Sequence, residues 1–351
     1  MKKEAILLAF LALLLLVGCD NHKGESSFFP KTRSLKGVFW NISDSLFRIR
    51  ELNIAGNYLV LVNANENNQL SMINLSSHSQ IFNFCKRGEG PQELLSVDAI
   101  FTEDSCVNVY EHNRKEMARF YLDSIEAGNT NVMEKVSFQN AEGFSDIIGF
   151  PKGNMWIGCG TFSSLKRFCL SDINGEVISY MGDFPTEKKM EELPFWVLGQ
   201  AYYSRLCAQP GGNRFAIATS YGEVLQFYEC DFGSQTIKEI NQHIGRYPSI
   251  TTSDYRGTPN FTLNRDSKFG YYDICATTDR VYALYSGLPV IEDGHVNGSW
   301  QVHEFDWEGN PICCYYLDAE AYSIACRENV LYLCVKNASG EDDIEEYKLD
   351  L

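Results

Sequence analysis

Six short apolar runs punctuate the chain, each opened by a polar turn residue. They are Asn57 before YLVLV, Ser105 before CVNVY, Asn154 before MWIGC, Asn213 before RFAIA, Asp279 before RVYALY and Asn329 before VLYLCV. Successive openings lie 48, 49, 59, 66 and 50 residues apart. A pair of apolar residues at i and i+2 follows each run: Ile73/Leu75, Phe120/Leu122, Phe168/Leu170, Tyr228/Cys230, Phe305/Trp307 and Tyr347/Leu349. A period of two marks a strand with one buried face. Turn chemistry comes next, as in Asp172-Ile-Asn174-Gly175 and Glu308-Gly309-Asn310-Pro311, and a further strand returns at Val177 or Ile312. Each unit therefore predicts strand, turn, strand, hairpin, strand. One such unit cannot bury both faces of its sheet, but six arranged radially can. The expected fold is an all-β, six-bladed β-propeller. Its last unit ends at Leu351 without a returning strand. The segment Arg33–Ile42 has strand character and is the natural outer strand for that blade, which would limit exposed strand edges.

The N-terminus follows a different pattern. Lys2 and Lys3 precede thirteen uninterrupted apolar residues, Ala5–Val17. That run is too short for a typical spanning helix and matches a signal-peptide h-region. It ends Leu16-Val17-Gly18-Cys19, which resembles a bacterial lipobox and implies cleavage before Cys19 and acylation of that residue. Removing residues 1–18 takes away Lys2, Lys3 and Glu4, so the charge of −16 becomes −17. The expected organisation is a signal peptide at 1–18, a lipidated Cys and flexible tether at 19–30, and the propeller at 31–351.

The acidic balance, 30 Lys+Arg against 46 Asp+Glu, excludes a nucleic-acid binder of the usual basic kind and a polybasic membrane surface. Membrane contact is expected through the lipid alone. Twelve cysteines leave eleven once Cys19 is acylated, an odd number, and no CxxC occurs. Most of the eleven sit in apolar runs, where free Cys behaves as a small buried hydrophobe. Cys313 and Cys314 should point to opposite faces of a strand.

The lipobox, CKRGEGPQE at 85–93, YDICATTDRVYALYSG at 272–287 and HEFDWEGNP at 303–311 together resemble the TolB-like six-bladed β-propeller lipoproteins of Bacteroidetes. The resemblance covers nearly the whole mature chain. Its most specific piece is Gly88-Glu89-Gly90-Pro91-Gln92-Glu93, with Gln92 where the commoner form has Gly. It implies a fold and an envelope location, with the outer membrane favoured over the inner and the periplasmic or external face left open. It transfers no catalytic residue.

No nucleophile elbow, HExxH, P-loop or EF-hand loop is present, so no catalytic residue, metal site or cofactor is expected. Gly88 and Gly90 are expected to supply positive φ in a crossing between blades, with Arg87 and Glu93 pairing or facing the channel. The acidic run Glu341–Glu346 is expected as a solvated hairpin, and His303 as a structural histidine in a strand. Two insertions remain. Residues 185–200 hold a helix-like stretch and Trp196. Residues 243–268 show no clear strand and carry Arg246, Tyr247, Tyr255, Arg256 and Arg265, a basic and aromatic stretch on an acidic protein. Arg with aromatic residues is common recognition chemistry. The candidate ligand-binding residues are therefore these five with Trp196, Arg87 and Glu93. The expected function is a non-catalytic envelope lipoprotein that binds a protein or glycan partner. The alternative is an envelope hydrolase or lyase acting on glycans at a channel mouth, which convergent carboxylates there would favour.

Overall fold

In the computed structural model, residues 28–42, 46, 48–63, 67–78, 80–185, 193–264, 266–292 and 295–349 are described. The signal segment and Cys19 lie outside them. Four separate four-stranded antiparallel sheets form blades 1 to 4, with inner strands Ile49–Ala55, Ala99–Glu103, Phe144–Phe150 and Ser204–Ala208. Blade 5 begins with Tyr271–Ala276. The long strand Pro311–Arg327 serves as its outer strand and then, over 321–327, as the inner strand of blade 6. The six inner strands stand side by side, and the sixth lies against the first. The ring is closed.

The polar residues that open each apolar run sit in the turn between a blade's first and second strands. The runs themselves are the second strands, buried on both faces. Phe120, Phe168, Phe305 and Trp307 are all buried at the interfaces between blades, as their spacing predicts. Cys313 and Cys314 fall in two different core clusters on opposite faces of their strand. Ten of the eleven described cysteines are buried and none is in a disulfide.

Closure uses the N-terminal segment in two pieces. Val38 and Phe39 pair with Glu346 and Glu345, and Trp40 N donates to Ile344 O at 2.9 Å, which completes blade 6. Thr32–Ser34, expected on the same blade, instead runs parallel to Cys314–Tyr316 on the outer edge of blade 5. The tether expected over 19–30 ends earlier, because Phe29 is buried against His303 and Phe305 and Phe28 packs on His243. Two adjacent phenylalanines gain more by covering the seam between blades 4 and 5 than by staying in water. The acidic run also differs from the expectation. Asp342–Lys348 is the third strand of blade 6, with Asp343 and Glu345 buried. Its carboxylates are accommodated by donors: Ile49 N to Asp342 at 2.8 Å, Ile344 N to Asp343 at 2.8 Å and Tyr347 Oη to Glu345 at 2.6 Å.

Candidate functional site

Each inner strand offers one residue to the same level of the channel: Glu51, Ala99, Asp146, Arg205, Asp273 and Ser323, one per blade. In blades 1, 3, 5 and 6 the pairing register slips immediately before that residue. Such a bulge re-aims the side chain that follows it. The result is a polar collar. Arg205, in blade 4, reaches across to Glu51 in blade 1, Nη1 to Oε2 at 3.0 Å. Asp146 accepts from Ile147 N and from Leu206 N of the next blade, both at 2.8 Å. Asp273 accepts from Ile274 N at 2.9 Å, from Ser323 Oγ at 2.5 Å and from Ile324 N at 3.1 Å. Ser323 in turn accepts from Leu52 N at 2.9 Å, so blade 6 is tied to blade 1.

Three carboxyls share one guanidinium in a buried place. Burial pushes Glu51 up to about 7; Arg205 opposes this, and Asp146 and Asp273 add to it. Burial likewise raises Asp146 to about 6 against the pull of Arg205 and two backbone N–H groups, and Asp273 is raised for the same first reason. Burial works against the charge of Arg205, yet the surrounding Glu51, Tyr203, Asp146 and Asp273 hold it well above its ordinary value. Glu51 is the natural proton carrier. Among the described residues its other oxygen is met only by Asn53 Nδ2 at 3.1 Å, whereas both aspartates are held by backbone donors.

Every crossing from an outer strand to the next inner strand lies at one end of the ring, and both insertions are such crossings. They meet there. Residues 186–192, where the helix-like stretch falls, lie outside the described residues; the helix found is Phe195–Ala201, just after Pro194. The 243–268 insertion, expected without strands, contains a hairpin of Thr251–Tyr255 and Thr258–Thr262. Trp196 Nε1 donates to Pro259 O at 2.8 Å, and Tyr247 joins Leu198, Tyr202 and Val224 in an apolar cluster beneath. These two aromatic side chains hold the insertions together. Arg256 is exposed at the hairpin tip, with φ +55°. Arg246 is half-buried, with Nη2 3.4 Å from Phe269 O, and forms no ion pair among the described residues. Arg265 lies outside the described residues, and of Tyr255 only the backbone is described.

The 87–94 turn makes a crossing, as expected, but by another route. Neither Gly88 nor Gly90 has positive φ. Glycine is needed because the Glu93 carboxylate occupies the space of a Gly88 Cβ and accepts from Gly90 N at 3.0 Å. Glu93 therefore closes its own turn, and it forms no ion pair with Arg87 among the described residues. Arg114 clamps the turn from outside through the Glu93 carbonyl at 2.8 Å. His303 is buried, stacked on Tyr285 with centroids 4.4 Å apart, and burial lowers it to about 3.

Beside the channel mouth an open cleft of about 610 Å³ lies between blades 2 and 3, lined among others by Asp98, His112, Lys115, Glu142, Ser145 and Tyr203. Tyr203 immediately precedes the inner strand that carries Arg205 and is 37% exposed. Sequence reading missed both collar and cleft.

The family model described as TolB-like 6-blade propeller-like matches residues 34–329. The chain belongs to this family. Two solved structures share the fold of this TolB-like propeller. One is a Bacteroides fragilis protein titled "Putative exported protein", 10% identical, with 92% of this chain and 99% of that one covered at a TM-score of 0.54. The other is a DUF4221 family member from Bacteroides vulgatus, 11% identical, with 86% and 94% covered at 0.50. No curated protein matches this chain.

Proposed function

We propose that this TolB-like propeller is a lipid-anchored, non-catalytic binding protein of the bacterial envelope, with its contact face at the crossing-loop end. One observation carries the reading. The convergent carboxylates that an enzyme would use are committed to structure: Asp146 and Asp273 bond backbone N–H groups of neighbouring blades, and Glu51 bonds Arg205. The end above them is instead built up by two insertions, with Arg256 exposed and Arg246 at its edge. Phe28–Ser34 enters alongside the start of Pro311–Arg327, at the opposite end. An acylated Cys19, nine residues before Phe28, would hold that end toward the bilayer and present the insertions to the surroundings. The exported Bacteroides neighbour agrees with an envelope location. On a chain of net charge −16, a locally basic, aromatic stretch attracts anionic groups that the remaining surface repels, such as glycan carboxylates or an acidic loop of a partner protein.

The test is affinity capture from native envelopes with wild type and an Arg246→Ala/Arg256→Ala variant of equal stability. Loss of a captured partner from the variant supports the reading. A variant that keeps every wild-type partner removes the basic insertion from it, and turnover of envelope glycans by purified wild type would favour the hydrolase or lyase alternative.

A further inference from the structure

We infer that the cleft between blades 2 and 3 binds an uncharged polyhydroxylated ligand, a neutral oligosaccharide segment. This rests on the binding-propeller reading and narrows it to one cleft and one chemistry. The volume of about 610 Å³ is in the range of small-molecule sites, roughly 300–1,000 Å³.

The walls are held in place by specific bonds. Ser163 N and Oγ each donate to Glu142 at 2.8 Å, which clips the loop between the second and third strands of blade 3 to the cleft rim. That loop carries Leu165, exposed and at φ +59°, a conformation that strains a bulky residue. On the other wall, the His112 ring fills the space a Cβ on Gly143 would need, so only glycine permits the ring's position. His112 Nδ1 lies 3.3 Å from Phe144 O, which places the proton on Nδ1 and leaves Nε2 as an acceptor. Asp98 Oδ2 takes Ser96 Oγ at 2.6 Å and His112 N at 2.8 Å, leaving its second oxygen toward the cleft. Lys115 Nζ donates to Ala141 O at 2.7 Å and forms no ion pair among the described residues, so two of its three protons remain. The Tyr203 hydroxyl has no hydrogen bond among the described residues.

Donors and acceptors thus alternate around one space. A hydroxyl group both donates and accepts, and so satisfies either kind of wall. An anion offers acceptors only and meets Asp98 and Glu142. A cation offers donors only and meets Lys115. The exposed ring of Tyr203 supplies an apolar platform for the C–H face of a sugar ring, with a polar tip beside it.

The test is calorimetric titration of the full-length protein, purified in detergent, with cellohexaose, maltohexaose, mannohexaose and xylohexaose, beside a galacturonate hexamer and a glucosamine hexamer. Binding of at least one neutral hexamer, and of neither charged one, is expected. Tyr203→Ala and Glu142→Gln should each weaken that binding about tenfold or more. Tyr203 is exposed, so its variant should keep the wild-type unfolding midpoint and decides the matter if Glu142→Gln does not fold. Four neutral hexamers without heat, tighter binding of a charged hexamer, or wild-type affinity in Tyr203→Ala would each overturn the assignment. If the envelope capture still depends on Arg246 and Arg256 in that case, the cleft assignment falls while the binding reading stands.

Discussion

Replacing Glu51 by Gln should stabilise the propeller at alkaline pH, although it removes a buried ion pair. Burial and the two neighbouring aspartates raise Glu51 from 4.5 to about 7. Each unit is worth about 1.4 kcal/mol, so ionising Glu51 in the folded ring costs about 3 kcal/mol relative to the unfolded chain. The sign follows from proton uptake. Between pH 4.5 and 7 the folded state holds a proton on Glu51 that the unfolded state has lost, so this group's contribution is fully present below the unfolded value and is lost as pH rises through about 7. The glutamine amide is neutral throughout. Its oxygen accepts from Arg205, and Asp146 and Asp273 still neutralise that guanidinium. A ring of about 320 residues unfolds with roughly 0.7 kcal/mol/K of entropy, so 3 kcal/mol amounts to about 4–5 °C in Tm. The assay is equilibrium urea unfolding from pH 5 to 8 by tryptophan fluorescence, with thermal scans alongside. Glu51→Gln should match wild type near pH 5, exceed it at pH 8, and show the flatter pH profile. Arg205→Leu breaks the same ion pair from its other end and should lose about 3–5 kcal/mol, because it leaves three buried carboxyls without a cation. Opposite signs at pH 8 are the signature of a collar with too many acids for its one base. If both variants lose stability there, and the wild-type and Glu51→Gln profiles run parallel, the proton is not on Glu51 and the reasoning fails.

Two further outcomes are expected. Deleting residues 31–42 removes the strands on blades 5 and 6 and exposes both edges, so the urea midpoint should fall for the whole domain in one transition; an unchanged midpoint would show that the ring closes without them. Mass spectrometry of the mature N-terminus should find an acylated Cys19, and Cys19→Ala should release the protein from the membrane fraction; an intact residue 1 or an unmodified Cys19 would remove the anchor.

The repeat is legible because second and third strands carry it in residue types. Runs such as YLVLV and pairs such as Phe168/Leu170 are buried by every blade in the same way, so burial writes the same pattern six times. The inner strands are less visible. They are short, several slip register at a bulge that breaks the period of two, and their key position varies from Glu to Ala, Asp, Arg, Asp and Ser. A signal is present all the same. A polar or charged residue followed at once by Leu or Ile stands six or eight residues before the turn that opens most apolar runs, as in Glu51-Leu52 before Asn57 and Asp146-Ile147 before Asn154. The acidic strand Asp342–Lys348 defeats sequence reading for a related reason. Charge in sequence predicts solvent, whereas here the carboxylates find donors within their own strand and on the distant Ile49. The cleft depends on Gly143, His112 and Tyr203 meeting from three separate crossings and loops, which spacing along one chain does not reveal.

The collar and the cleft answer to the same constraint from two directions. A six-bladed ring leaves a polar axis whose backbone donors must be met, and Asp146, Asp273 and Ser323 meet them by bonding forward to the next blade. Such residues cannot also approach a ligand without loosening a seam between blades. Recognition is thereby displaced outward, to crossings whose length can change without disturbing the inner strands. The two longest crossings flank blade 4, which supplies Arg205, and Tyr203 sits at the junction: one residue from the inner strand's first position, exposed on its ring, and two from the guanidinium that locks the channel. A ligand on Tyr203 would touch the rim of the lock without entering it. Binding in the cleft should therefore leave the pH dependence of stability set by Glu51 unchanged in slope, raising the whole curve by the binding free energy, and a ligand that altered that slope would have to reach the collar itself.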